Sequence, residues 1–297
     1  MSAVSTGFEK FRRGITHVVR PYPVTNLPQG RRLELPGRGE TYITDSGPRE
    51  APTVFLLHSV TTTGLLCWYP VIPILNRDFR VITMDHRWHG RGIASDDFRL
   101  TDCADDVAAV ADQLGIETFT AAGFSMGGGI AQLAWHRHRD RVDSLVLCST
   151  GPYFSSIDPR QLEAEERLSR IFGRFERMMP TASDEKLDDW SRHPAIWGLR
   201  QFSTTKMSRY GAFGAAMAEF DSRPWLAEVA VPTSVVVSTR DRVVEPERQE
   251  LLVAGIPDAE RFDVDGGHAC CVMGAERFIP EFTSAVRSVT RRRAAVG

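Results

Sequence analysis

The chain has 297 residues, 42% hydrophobic and 25% charged, with 36 Lys and Arg against 38 Asp and Glu. That composition excludes disordered and fibrous classes and suits one sizeable domain or a domain carrying an insertion. A formal charge of -2 leaves no global field to draw in nucleic acid or an anionic membrane, so a small neutral or apolar molecule is the expected partner.

Residues 1–30 read as an N-terminal extension. Phe8, Phe11, Ile15, Val18 and Val19 recur at helical spacing, with Lys10, Arg12 and Arg13 between them. This predicts a short amphipathic helix that packs on its own domain or frays, a membrane surface or partner being the other reading. No apolar run reaches the roughly 18–20 residues of a membrane span, and the first residues lack the apolar stretch and cleavage site of a secretory leader. The expected location is therefore cytoplasmic, without stable membrane insertion. Cys67, Cys103, Cys148, Cys270 and Cys271 are odd in number and irregularly spaced, which points to reduced thiols rather than a disulfide framework.

From Arg31 onward the punctuation becomes regular. Arg32–Leu35 and Thr41–Thr44 read as two strands joined through Pro36-Gly-Arg-Gly39. Thr53–Leu57, Arg80–Met84, Thr118–Ala122, Ser144–Cys148 and Thr233–Val237 are short, nearly continuous apolar runs, the pattern of strands buried on both faces. Thr101–Leu114 is the clearest helix, with Ala104, Val107, Ala108, Ala111 and Leu114 on one face and Thr101 or Asp102 as N-cap. Alternating strand and helix predict an α/β fold: a mostly parallel central sheet flanked by helices, with its functional loops at the carboxyl ends of the strands. Residues 152–230 break the rhythm with successive helical patterns and large apolar side chains such as Phe154, Trp197, Phe213 and Met217. A plain loop of that length is improbable, so an inserted helical cap is expected, on a core of residues 31–151 and 231–297.

Gly123-Phe-Ser-Met-Gly127 matches G-x-S-x-G where a strand gives way to a helix. In that context it is a nucleophile elbow: the glycines avoid clashes where strand and helix meet closely, and the hydroxyl stands at the helix N-terminus. A serine hydroxyl is a poor nucleophile at neutral pH and needs an imidazole base oriented by a carboxylate. Candidates follow in the order Ser, Asp, His: Asp241 beyond the strand Thr233–Val237, and His268 beyond the strand-like run Arg261–Val264. Asp265 and Glu245 compete as the acid. Asp265, three residues from His268, more plausibly shapes the Asp-Gly-Gly turn, which favours Asp241.

The chain from Arg31 to Val289 resembles the α/β-hydrolase superfamily, in its capped esterase and lipase-like form. Leu56-Leu-His-Ser-Val60, Asp85-His-Arg-Trp-His-Gly-Arg-Gly92, the elbow, and the loops bearing Asp241 and His268 carry the likeness. The resemblance implies Ser125 as nucleophile, His268 as general base and then acid, Asp241 as orienting carboxylate, and the backbone N–H groups of Met126 and Val60 as oxyanion hole. It implies a serine hydrolase of carboxylic esters or related acyl compounds, acting through an acyl-enzyme on a small, largely hydrophobic substrate, with no cofactor. Relatives of the same triad include carbon–carbon bond hydrolases, cofactor-free haloperoxidase or perhydrolase-type enzymes and acyltransferases; a non-catalytic ligand-binding protein is the remaining class. Two departures stand out: Ser59 replaces the usual glycine after His58, and Trp88 the usual glycine after Arg87. Ser59, Trp88 and Phe124 are the candidate substrate-binding residues, Trp88 either narrowing the site or packing beneath it.

His86 and His89, with His136 and His138, suggest zinc only weakly, since carboxylate or cysteine company at ligand spacing is missing, and no metal is expected. Asp85 and Arg87 are expected to hold their loop by an ion pair. Cys270 and Cys271 are expected to be buried as small hydrophobes. Nothing in the chain sets an oligomeric state.

Overall fold

The computed structural model describes residues 22–154, 183–190 and 194–295. The helix expected within residues 1–21 and a large part of the expected cap, including Phe172, Phe175, Met178 and Met179, lie outside the described residues.

Eight strands form one sheet: β1 (Arg31–Leu35), β2 (Gly39–Ser46), β3 (Thr53–Leu57), β4 (Arg80–Met84), β5 (Phe119–Phe124), β6 (Val142–Cys148), β7 (Thr233–Ser238) and β8 (Glu260–Val264). Their order is β1-β2-β4-β3-β5-β6-β7-β8. Only β2 runs against its neighbours; the pairs from β4 to β8 are parallel. The first two strands form the predicted hairpin, whose turn places Gly37 at φ 74 and Gly39 at φ 118, a region that glycine enters at no steric cost.

The continuous apolar runs are explained by burial on both faces. Phe55, Leu57, Leu145, Leu147, Val235 and Val237 point into one core cluster, while their neighbours Val54, Leu56, Val146 and Val236 point into the other. Each such side chain, fully withdrawn from water, contributes about 1.5–3 kcal/mol. Gly64–Trp68 (α1) and Ile72–Leu75 (α2) join β3 to β4, Leu100–Gln113 (α3) precedes β5, and Met126–Arg137 (α4) follows it. Helices α3 and α4 supply Val107, Ala111, Ile130 and Ala134 to the first cluster. Between β6 and β7 the described residues form α5 (Asp184–Asp188), α6 (Pro194–Ser203) and α7 (Tyr210–Ala218). Then come α8 (Pro246–Gly255), α9 (Cys270–Met273) and α10 (Ala275–Ala294), the last giving Phe278 and Phe282 to the second cluster.

The N-cap of α3 differs from expectation. Arg99 occupies it in extended conformation without a side-chain cap bond. Leu100 is 4% exposed and belongs to the core, so the helix starts early enough to bury it, and Thr101 and Asp102 fall inside the first turn. Asp102 instead accepts a hydrogen bond from Arg38 on its backbone carbonyl, at 3.0 Å. Among the described residues no helix is long and apolar enough to cross a membrane.

Candidate active site

Ser125 links β5 to α4 with φ 53 and ψ -118, a conformation costing an L-residue about 1–3 kcal/mol. Its N–H donates to the Cys148 carbonyl on the neighbouring strand at 2.9 Å, and its own carbonyl accepts from the Gly128 N–H at 2.8 Å. The flanking glycines are forced by close approach. A Cβ on Gly127 would stand 2.1 Å from the Leu57 carbonyl oxygen, and one on Gly123 would stand 2.1 Å from that of Gly127. Helix and sheet therefore touch backbone to backbone, and the strained turn is held from both sides.

Three sheet-end loops meet here. The Nε2 of His268 lies 2.9 Å from the Ser125 Oγ, and its Nδ1 lies 2.8 Å from Asp241 Oδ2. Asp241 is 4% exposed and is fixed further by the N–H groups of Val243 at 2.8 Å and Val244 at 3.0 Å, both donating to Oδ1. The competing acids face elsewhere: Asp265 pairs with Arg240, and Glu245 with Arg248 at 3.1 Å.

Gln249 of α8 is a residue that the sequence reading missed. It is fully buried, its Nε2 donates to the Val244 carbonyl at 2.7 Å and to Asp241 Oδ2 at 3.4 Å, and its Oε1 accepts the Ser238 N–H at 3.0 Å. It ties the end of β7 to the loop that carries the acid. The local sequence Pro-Glu-Arg-Gln-Glu reads as solvated helix and gives no hint of this; only the docking of α8 against β7 brings the amide under the loop.

A cavity of about 610 Å³, within the usual range for small-molecule sites, opens over the serine. Ser125, His268, Ser59, Val60 and Phe124 line it, with Leu66, Phe154, Phe202, Met217, Val243 and Met273 among its apolar walls, and no Asp, Glu, Lys or Arg among its described lining residues. Met126, buried as the first residue of α4, carries an N–H that has no acceptor within the helix. Cys67 and Cys271 also line the cavity, and all five cysteines are buried thiols. Burial raises Cys103, Cys148, Cys270 and Cys271 above the usual thiol range, which keeps them protonated.

Trp88 departs from the expectation that it contacts substrate. It keeps the positive φ, 63, natural to the glycine it replaces, and it is not among the residues lining the cavity. Instead it packs on Phe98 and Phe213, with ring centroids 5.3 and 5.8 Å away, beneath the Arg209 guanidinium at 4.1 Å. Its Nε1 donates to the Ser95 carbonyl at 2.7 Å. The tryptophan is a core residue, placed by the apolar surface that α7 offers.

The expected Asp85–Arg87 ion pair is also replaced. Arg87 grips Asp106 of α3 through Nε at 2.6 Å and Nη2 at 3.0 Å. Asp85 accepts the N–H groups of Gly64 and Arg91, each at 2.9 Å, and burial raises its pKa above the usual carboxylate value. Asp106 and Gly64 lie 19 and 21 residues from their partners, outside the local spacing, whereas Arg91 closes on Asp85 within the same loop.

Beneath the loop after β3, His58, His86 and His89 form a buried group with His58 ring centroids 4.3 and 5.1 Å from the other two. His58 Nε2 accepts the His86 N–H at 2.9 Å, so its proton sits on Nδ1, which donates to the Ser59 carbonyl at 2.7 Å. One imidazole thus ties the loop after β3 to the loop after β4. Burial holds all three rings below the ordinary histidine range, His86 at about 3 and His89 at about 4. Of the other candidate zinc ligands, His138 meets Asp105 at 2.9 Å, and His136 stacks on Trp225 at 4.4 Å.

The sheet order and the place of the serine between strand and helix are those of the α/β-hydrolase fold. The sequence profile of the family described as "alpha/beta hydrolase fold" matches residues 52–185. The 3-oxoadipate enol-lactonase 1 of Acinetobacter baylyi is 24% identical over 82% of this chain and 92% of its own length. A protein of Agrobacterium fabrum provisionally named carbamate hydrolase RutD is 29% identical over 77% and 90%. The solved structure of a thermophilic esterase from Thermogutta terrifontis superposes with a TM-score of 0.68 at 25% identity, over 88% of this chain and 99% of that one. The fold and these likenesses are those of the α/β-hydrolase superfamily.

Proposed function

We propose that the chain is a serine hydrolase that cleaves carboxylic esters or related acyl compounds of a small, largely hydrophobic substrate through an acyl-enzyme. The observation that carries this reading is the unbroken sequence of contacts from Asp241 through His268 to Ser125, 2.8 and 2.9 Å, on the wall of an apolar cavity. In the reaction His268 Nε2 takes the Ser125 proton as Oγ attacks the carbonyl carbon, and Asp241 steadies the imidazolium. The same nitrogen then protonates the departing alcohol as the acyl C–O bond breaks. Water, deprotonated by that nitrogen, attacks the acyl carbon and releases the acid, and Ser125 recovers its proton.

The N–H groups of Met126 and Val60 are the oxyanion donors in this reading, each worth about 2.7–4 kcal/mol of transition-state stabilisation. The helices between β6 and β7 act as a cap, spanning residues 152–230, on a core of residues 31–151 and 231–297. Phe202, Gly214 and Met217 of this segment reach the cavity. The names of the similar proteins support the chemistry, since lactone, carbamate and ester all present a carbonyl bearing a heteroatom leaving group.

A fluorophosphonate probe labels Ser125 in the folded protein and fails to label Ser125→Ala, which keeps its fold but loses turnover of p-nitrophenyl butyrate. Asp241→Asn lowers kcat by roughly 10³–10⁴. Folded protein that takes no label, or an Asp241→Asn variant turning over at the wild-type rate, refutes the assignment.

A further inference from the structure

Among the described residues the large apolar side chains that stand well exposed are Ile196, Leu199, Phe202, Val243, Leu251 and Met273. Phe202, Val243 and Met273 also line the cavity that holds Ser125, so they form its mouth. Leu199, 70% exposed, lies one helical turn before Phe202 on α6, and Ile196 one turn earlier. At about 100° per residue these three side chains share an arc of roughly 120°. Trp197 and Gln201, almost wholly buried, occupy the opposite side of α6; Gln201 accepts from Thr63 at 2.8 Å and donates to the Leu187 carbonyl at 2.8 Å.

The outer face of α6 should therefore be polar, yet apart from Ser203 at its end it is apolar, and it runs through Phe202 into the mouth. A surface helix keeps such a face when something apolar covers it in use. The interior it leads into has no charged wall among the described residues, which suits an uncharged occupant. The continuity matters most, because an occupant of the mouth is joined to the carbonyl held at Ser125.

Resting on the ester-hydrolase reading, we propose that this mouth binds the distal hydrocarbon of a long-chain ester, with the carbonyl at Ser125 and the chain running out between Met273, Val243 and Phe202 onto Leu199. The substrate class is then esters whose chain is longer than the cavity can enclose. Each methylene that finds apolar cover raises kcat/KM by up to about fourfold, the equivalent of about 0.8 kcal/mol per CH₂.

The test is a p-nitrophenyl ester series from acetate to dodecanoate, each below its critical micelle concentration, on wild type, Leu199→Ser, Met273→Ser and Leu251→Ser. Binding of 1-decanol is measured by calorimetry on the same proteins. Expected are a dodecanoate-to-acetate ratio of kcat/KM well above one, a fall of at least about fivefold in that ratio in the two mouth variants, weaker decanol binding in both, and no change in Leu251→Ser. A flat series with decanol binding indifferent to Leu199→Ser overturns the proposal. So does a Leu199-dependent dimer in solution, or a marked fall in Tm in Leu199→Ser, because either result shows protein covering this face. A rate that rises only above the micelle threshold makes a lipid surface the occupant and also overturns it. Decanol binding that depends on Leu199 in a protein that hydrolyses no ester upholds the hydrocarbon site and refutes the ester reading alone.

Discussion

Asp241 is oriented by four donors: two backbone N–H groups, an imidazole and the Gln249 amide. Gln249→Leu removes one of them and also leaves the Ser238 N–H and the Val244 carbonyl buried without their partner, at about 1–3 kcal/mol each. The expected result is a Tm lower by roughly 5–10 °C and a kcat on p-nitrophenyl butyrate lower by about tenfold with KM little changed. Wild-type Tm and kcat in this variant would show that the glutamine holds nothing in place. At Trp88 two effects oppose each other. Trp88→Gly relieves a left-handed backbone costing about 1–2 kcal/mol but removes a buried ring whose loss costs about 3–5 kcal/mol. Packing wins, so chemical denaturation should show a net loss of about 2 kcal/mol, and a stabilised variant would mean that strain dominates. At this scale the meeting of Ser125, Asp241 and His268 was legible because an elbow serine, a carboxylate and an imidazole follow one another in chain order, each beyond the carboxyl end of a strand. Gln249 and the destination of Trp88 were not, because a glutamine and a tryptophan have no fixed role until a distant element packs on them.

The elements were legible where burial is two-sided. β3 and β4 run from the residues at which their runs begin and end, since a strand between two helical layers is buried at every position. The start of α3 was misjudged because cap preference is worth about 1 kcal/mol, less than the burial of Leu100 at about 1.5–3 kcal/mol. The elbow is the element with least tolerance. Gly127→Ala sets a methyl 2.1 Å from the Leu57 carbonyl, and neither backbone can yield without parting α4 from the sheet. The expected outcome is loss of at least about 3 kcal/mol, read as a steep fall in soluble yield and Tm together with loss of activity. Soluble Gly127→Ala of normal Tm would contradict the closeness of that contact.

Across the whole molecule, the buried imidazoles set how stability varies with pH. His86 and His89 have native pKa values of about 3 and about 4, below the unfolded value of 6.5, so the unfolded chain takes up the proton first as pH falls. Their contribution is complete above about pH 6.5 and is lost progressively toward about pH 4 for His89 and about pH 3 for His86, at about 2 kcal/mol per ring between pH 7 and pH 5. Neither ring nitrogen of His86 has a hydrogen-bond partner among the described residues, so His86→Phe gives up no bond. Denaturation of both proteins at pH 5 and pH 7 should show the wild type losing about 2 kcal/mol more than the variant. Equal losses would mean that His86 is already charged in the folded protein.

The serine and the imidazole that meets it are 143 positions apart, with the acid between them on a loop that also follows β6. Translation at roughly 5–20 residues per second leaves an interval on the order of ten seconds between the synthesis of one and that of the other. Throughout that interval a ribosome-bound chain carries its hydroxyl without the imidazole that meets it in the fold. Under the proposed reaction, a polypeptide that stops after β6 is inert toward acyl compounds, and reactivity begins only when the final strand has taken its place at the edge of the sheet.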